Sequence, residues 1–225
     1  MPPRVSYRAR LLDPDAPSRR HHLALAAAAG GGVALLGAFV ARLGADEHWP
    51  LDHSLRAALA THRIPGLRPT LHVAGLAGSA VIYVPATLLA TALIARKTGD
   101  LDRAMPLVGA VAGAAVASLG LKRLVRRPRP HSGSGPRNER PSFPSGHATR
   151  ASAAALMIAY ILVRERMAPR RVAMPLAIAT AVATGISRAY ADAHWTTDVV
   201  GGLALGSASA ALAAMWYELS RMADT

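Results

Sequence analysis

The chain contains no cysteine. A disulfide framework and a thiolate metal site are both excluded, and the redox compartment leaves no trace in the sequence. Aromatic residues are scarce, at 4%. Without aromatics interleaved among the basic residues there is no platform for stacking bases. The formal net charge of +13 is therefore not read as a nucleic-acid footprint. Acidic residues are few, 13 against 26 Lys and Arg. The cations, nearly all Arg, fall between apolar runs, which suits anionic headgroups or phosphate substrates.

What is abundant is Ala, Leu, Val and Gly, with hydrophobic residues at 52%. Small residues of this kind let helix backbones pack closely in a membrane. A bilayer core of ~30 Å needs ~20 helical residues. Six runs approach that length: Leu23–Leu43, Leu71–Ala95, Ala104–Leu121, Ser145–Val163, Val172–Ser187 and Val199–Tyr217. The expected fold class is all-α, an integral membrane bundle of six helices spanning 23–217. Residues 1–22 and 218–225 are read as tails, the first one basic. The apolar run near the N-terminus is too long for a signal-peptide core and reads as a retained span.

Between the first two runs, His53–His62 has Leu55, Ala58 and Leu59 on one face and Arg56 pointing elsewhere, with Arg63 just beyond. With Asp52 as its cap, Pro65 as its stop and Trp49 beside it, this segment predicts an amphipathic helix lying at the interface.

Six spans place both termini on one side. The loop from Lys122 to His147, KRLVRRPRPHSGSGPRNERPSFPSGH, and the segment Ser187–Asp198, SRAYADAHWTTD, then fall together on the other. Counting cations does not orient the chain, because 13 Lys and Arg fall on each side.

Those two polar stretches hold the residues suited to phosphoryl transfer. The equatorial oxygens of a transferring phosphoryl group must meet fixed donors. Lys122, Arg129 and Arg188 supply cations, and Arg can bind bidentately. Ser145 and Gly146 open a helix, where unpaired backbone N–H groups favour anions. His194 and Asp198 are four apart, so on a helical turn they would face the same way. Asp198 can hold one ring nitrogen and leave the other free to attack phosphorus, and His147 could protonate the leaving oxygen.

The set Lys122-x6-Arg129-Pro130, Pro144-Ser145-Gly146-His147 and Ser187-Arg188-x5-His194-x3-Asp198 resembles the three-part signature of the type 2 phosphatidic acid phosphatase superfamily. Every position of that pattern is filled. The superfamily includes undecaprenyl-diphosphate phosphatases and is related to vanadium haloperoxidases. The resemblance implies a metal-independent phosphatase with no cofactor and a phosphohistidine on His194. It implies Asp198 as orienter, His147 as general acid, and Lys122, Arg129, Ser145, Gly146 and Arg188 as phosphate ligands. It also implies a bacterial inner membrane location, with both tails cytoplasmic and the site on the outer, periplasmic face. Undecaprenyl diphosphate, phosphatidic acid and phosphatidylglycerol phosphate all fit as substrates.

Three other readings compete. A vanadate-dependent haloperoxidase shares the signature, but the six apolar runs argue against a soluble enzyme. A silent lipid-phosphate binder or transporter would need the cations but not His147, His194 and Asp198. A metal site on His147, His194, Asp192 and Asp198 would have to form beside three cations. Beyond lipid, no nucleic acid and no obligate protein partner is expected. Arg123, Arg126, Arg127, His131, Arg137 and Arg140 read as solvated or headgroup-facing. Arg150 reads either as functional or as snorkelling to the surface. His72 and Tyr83 read as packing or interfacial residues, and Asp192 as a loop residue. Trp195 and Trp216 read as a boundary belt.

Overall fold

The computed structural model describes residues 19–45, 49–62, 64–130 and 141–223. The basic tail before Arg19, Arg63, His131, Arg137 and Arg140 lie outside the described residues. Among those described, the chain forms eight helices and no strand. They are α1 (Arg19–Ala45), α2 (Pro50–Thr61), α3 (Leu67–Leu76), α4 (Ala80–Thr98), α5 (Met105–Val125), α6 (Gly146–Arg164), α7 (Arg170–Tyr190) and α8 (Thr196–Ala223).

Six of these, all but α2 and α3, are long and apolar enough to cross a membrane. Their outward faces carry exposed Val81, Leu88, Leu89, Val116, Leu119, Leu176 and Leu212. A soluble protein would bury such a surface, whereas lipid accepts it. The chain is a multi-pass membrane protein.

The α8 helix packs on α1, α5, α6 and α7. It can do so because small residues line its contact with α6. A Cβ added to Gly202 would lie 2.6 Å from the Ser145 carbonyl oxygen, and one at Gly206 would collide with Ser152 Oγ and the Thr149 carbonyl. The main core lies between α5, α6 and α8, around Leu107, Met157, Ile161 and Tyr217.

Three sequence expectations change. The run Leu71–Ala95 is not one span but two helices, α3 and α4, broken at residues 77–79. The reason is a close approach: a Cβ on Gly78 would sit 2.5 Å from the His147 carbonyl oxygen. The freed Gly78 carbonyl accepts bonds from Arg150 Nε at 3.3 Å and Nη2 at 3.2 Å.

The final helix runs past Tyr217 to Ala223, so residue 218 begins no tail. Glu218 is fully buried and joins Arg164 Nε at 2.6 Å. Asp52 does not cap the interfacial helix. Trp49 is its N-cap and Asp52 sits in the first turn, buried. On α2 it is Leu51 and Leu55 that stay exposed, and the acidic residue that turns inward. That inversion fits a helix whose outer face meets lipid and whose inner face meets a polar site.

Candidate active site

Alternation of the six spanning helices puts the α5–α6 loop, the α7–α8 loop and the α2–α3 segment at the same end of the bundle. The polar residues of these three segments meet there.

The α5–α6 loop is held from below by Lys122, in the last turn of α5. Its ammonium donates to the carbonyls of Pro141 at 3.0 Å, Ser142 at 3.1 Å and Pro144 at 2.7 Å. An ammonium has three donors, so here Lys122 shapes the loop and contributes its charge from beneath. Ser142 closes the same loop, its amide donating to Arg127 O at 2.8 Å. The loop is tied to the other motif through the backbone, where the Ser145 amide donates to Asp198 O at 2.9 Å.

Helix α6 begins at Gly146 with Ser145 as its N-cap, yet the Ser145 side chain makes no capping bond. Its Oγ is buried and has no hydrogen-bond partner. A buried hydroxyl beside a helix N-terminus is suited to an anion. A Cβ at Gly146 would come within 3.0 Å of Arg150 Nη1, so glycine there leaves the guanidinium its place.

His194 lies in the short loop between α7 and α8 and is 5% exposed. Its Nε2 is 3.3 Å from Arg129 Nη1, which also donates to Ala193 O at 2.6 Å. A guanidinium can only donate. Nε2 therefore accepts and the proton resides on Nδ1, which faces Asp198 Oδ2 at 3.6 Å. That separation is longer than a formed hydrogen bond. Burial pushes the His194 pKa down to about 4, with Asp198 opposing the shift and the Arg129 and Lys122 charges adding to it. The ring is neutral at pH 7, as a nucleophile must be.

Asp198 opens α8 and is fully buried. Its Oδ2 accepts from the Trp195 amide at 2.9 Å, and its Oδ1 from Arg127 Nη1 at 2.9 Å. His147, one residue into α6, is within electrostatic reach of Arg188, Arg150, His194 and Arg129. Arg188, in the last turn of α7, lines a cavity of about 470 Å³ with Arg68, His72 and Ser187. The eight residues expected from sequence thus converge on one end of the bundle, with His194 and Arg129 in direct contact.

Two residues, Arg127 and Trp195, depart from expectation, and the readings of Asp192, in the loop as expected, and of Arg150 are sharpened. Arg127 is not headgroup-facing: it is 2% exposed and donates to Asp198, to Asp52 Oδ2 at 2.8 Å and to Thr197 Oγ1 at 2.8 Å. Trp195 is buried rather than in a boundary belt, and its Nε1 donates to Pro128 O at 2.9 Å. Asp192 is bound by Arg56 through Nε and Nη2, each at 2.7 Å. Arg150 does not snorkel. It bridges the α3–α4 break and lies 5.2 Å from the Tyr83 ring. Trp216 is exposed, as a boundary residue should be. Among the described residues no three His, Asp or Glu side chains converge as ligands for an ion.

Asp52, Arg127 and Thr197 are the functional-end residues that sequence reasoning missed. Arg127 carried a signal, standing two residues before Arg129 in a run of RPRP. Asp52 carried little, since an acidic residue in a first turn is ordinary for any helix.

The family model described as the PAP2 superfamily matches residues 103–222. Phosphatidylglycerophosphatase B of Bacillus subtilis is 41% identical over 68 residues, covering 29% of this chain and 34% of that protein. Decaprenylphosphoryl-5-phosphoribose phosphatase of Mycobacterium tuberculosis is 36% identical over 108 residues, 46% of this chain and 55% of that protein. The matches therefore span between a third and just over half the length of these curated relatives. The crystal structure of a transmembrane PAP2 type phosphatidylglycerolphosphate phosphatase from Bacillus subtilis superposes with a TM-score of 0.70. That similarity has 26% identity and covers 81% of this chain and 93% of that one.

Proposed function

The chain belongs to the PAP2 superfamily, and from that premise we propose that it is a lipid phosphatase of the bacterial inner membrane, with its site on the outer face. The substrate is a lipid phosphate or diphosphate whose headgroup enters the polar end while its tail stays in the bilayer. The observation that carries this reading is the buried, neutral His194 with Nε2 on Arg129 and Nδ1 turned to Asp198.

In the first step His194 Nε2 attacks phosphorus, forming a P–N bond as the P–O bond to the leaving group breaks. The Nδ1 proton faces Asp198, which stabilises the positive ring. His147 gives its proton to the departing oxygen. In the second step a water attacks the phosphohistidine while His147 takes a proton from it. Inorganic phosphate leaves and His194 returns to neutrality. Arg129, Arg188, Ser145 Oγ and the α6 amides from Gly146 onward meet the equatorial oxygens, and Lys122 adds its charge. The cavity lined by Arg68, His72, Ser187 and Arg188 offers room for the remainder of a headgroup.

Phosphate release from detergent-solubilised protein in EDTA tests the proposal, with prenyl diphosphate, phosphatidic acid and phosphatidylglycerol phosphate offered side by side. Release that survives EDTA and vanishes in His194→Ala is expected. Lipid binding without release from any of the three would replace this reading with a binder or transporter. Vanadate-supported halide oxidation would replace it with a haloperoxidase.

A further inference from the structure

The nucleophile does not position itself. His194 sits in a five-residue connection between α7 and α8, and short loops are the mobile parts of a fold. The helix that braces this loop is α2, which contributes nothing to the signature and is far from it in sequence.

Three contacts make the brace. Asp52 Oδ1 accepts from the Thr197 amide at 2.9 Å, and Oδ2 accepts from Thr197 Oγ1 and from Arg127 Nη2. Arg56 grips Asp192 through two bonds at 2.7 Å, two residues before His194. The His53 ring lies 4.9 Å from the Trp195 ring, directly after His194. Ties therefore reach the loop on both sides of the nucleophile. Asp52 is 1% exposed and Arg127 2%. The burial of such a pair is hard to justify by stability alone.

We propose that α2 is the positioning element of the nucleophile loop, acting through Asp52. Arg127 lies between two carboxylates, with Nη2 on Asp52 and Nη1 on Asp198 Oδ1. Asp52 holds the guanidinium so that it engages only one oxygen of Asp198. The other oxygen stays turned to His194 Nδ1. Without the Asp52 charge, nothing from α2 holds Arg127 off Asp198, and the guanidinium can take both of that carboxylate's oxygens, drawing Asp198 away from the ring. Asp52 thereby fixes the direction of His194, and supports the tautomer that Arg129 also favours, without touching the substrate. The proposal rests on His194 as nucleophile, but its consequence for the ring can be read without turnover.

The test uses Asp52→Asn, close to isosteric, in the full chain in detergent. Expected is a fall in kcat of ~10–100-fold, the usual cost of a small misplacement of a reacting group. KM and the inhibition constant of inorganic phosphate should stay within about twofold, since no phosphate ligand is altered. The amplitude of the phosphoenzyme burst should hold while its rate constant falls. A reduced amplitude at unchanged rate would mean that Asp52 only keeps sites folded, and would overturn the proposal. In a double-mutant cycle, adding Asp52→Asn to Arg127→Gln should cost little further rate, because both act on one contact. Fully multiplicative losses would also overturn it. Nitrogen-15 spectra of His194 give the readout independent of activity. The wild-type ring should carry its proton on Nδ1, and Asp52→Asn should mix in the Nε2 form. An unchanged spectrum with unchanged kcat contradicts the proposal, whereas absent turnover with the expected spectral change would contradict the phosphatase reading alone.

Discussion

The bundle has buried charge at both ends, and the two ends are built from similar parts. At one end Arg127 joins Asp52 and Asp198, with the Thr197 hydroxyl on the same carboxylate as the guanidinium. At the other, Arg164 joins Glu218, which also accepts from Tyr160 OH at 2.5 Å. Tyr217 OH donates to Glu165, and Arg103 Nη1 lies 3.6 Å from the same carboxylate. A count of buried ions would not tell the ends apart. Both ends leave buried polar atoms unpaired, His22 Nε2 and Arg221 Nη1 at the Glu218 end and Ser145 Oγ at the Asp198 end, so the difference is in what surrounds them. The Glu218 end knits helices α6 and α8 together. The Asp198 end does the same for the loops, and then presents a buried hydroxyl without a partner and a neutral imidazole facing an arginine.

The sharpest way to break this comparison is to remove one carboxylate at each end. Asp198→Asn should lower kcat by about 10⁴-fold, as expected when the orienter of a catalytic imidazole is lost. Glu218→Gln should leave kcat within about twofold and instead lower stability, by an amount approaching the ~3–5 kcal/mol of a broken buried pair. Thermal unfolding in detergent alongside initial rates checks both. If Glu218→Gln abolished turnover without unfolding, the ends would not be different in kind.

His147→Ala probes the site end alone. It should cost roughly 10²–10⁴-fold on a monoester such as phosphatidic acid, where an alkoxide must be protonated as it leaves. A diphosphate, whose leaving group is itself a phosphate, should lose much less. Equal losses on the two substrates would remove His147 from the acid role.

Smaller still is the effect of mild acid. In the proposed mechanism the neutral His194 ring is the active form, and its pKa of about 4 lies below the ordinary 6.5. Protonation of His194 in the free enzyme should therefore not limit kcat/KM until pH falls towards 4. Stability follows the same sign: the unfolded chain binds the His194 proton first, so this residue costs stability as pH drops below about 6.5. A stability profile that rises on acidification between pH 6.5 and 4 would count against burial of a neutral ring. The Glu218 end holds an imidazole too, His21, with Nε2 2.8 Å from Tyr160 OH, so the His194 variant is needed to assign the stability profile to the site end.

Much of the site was legible because its residues sit at fixed spacing on two chain segments. His194 and Asp198 are four apart, and Ser145, Gly146 and His147 are consecutive, so local chemistry and local geometry coincide. The six spans were legible for a similar reason, since apolar length is a local property. What was not legible depends on tertiary approach. The break between α3 and α4 exists because His147 O comes up against Gly78. Arg127 becomes buried because α2 folds back over it. Asp52 resembles a helix cap until the other end of its hydrogen bonds is known.

The account turns on His194 as a covalent nucleophile held between Arg129 and Asp198. Brief mixing of the enzyme with phosphorus-32 labelled lipid phosphate in EDTA, followed by quenching in base, tests this most directly. Base-stable, acid-labile label on His194, absent from His194→Ala and released as phosphate at a rate matching turnover, is the predicted result. Steady release of phosphate with no labelled protein, or label on another residue, would contradict it.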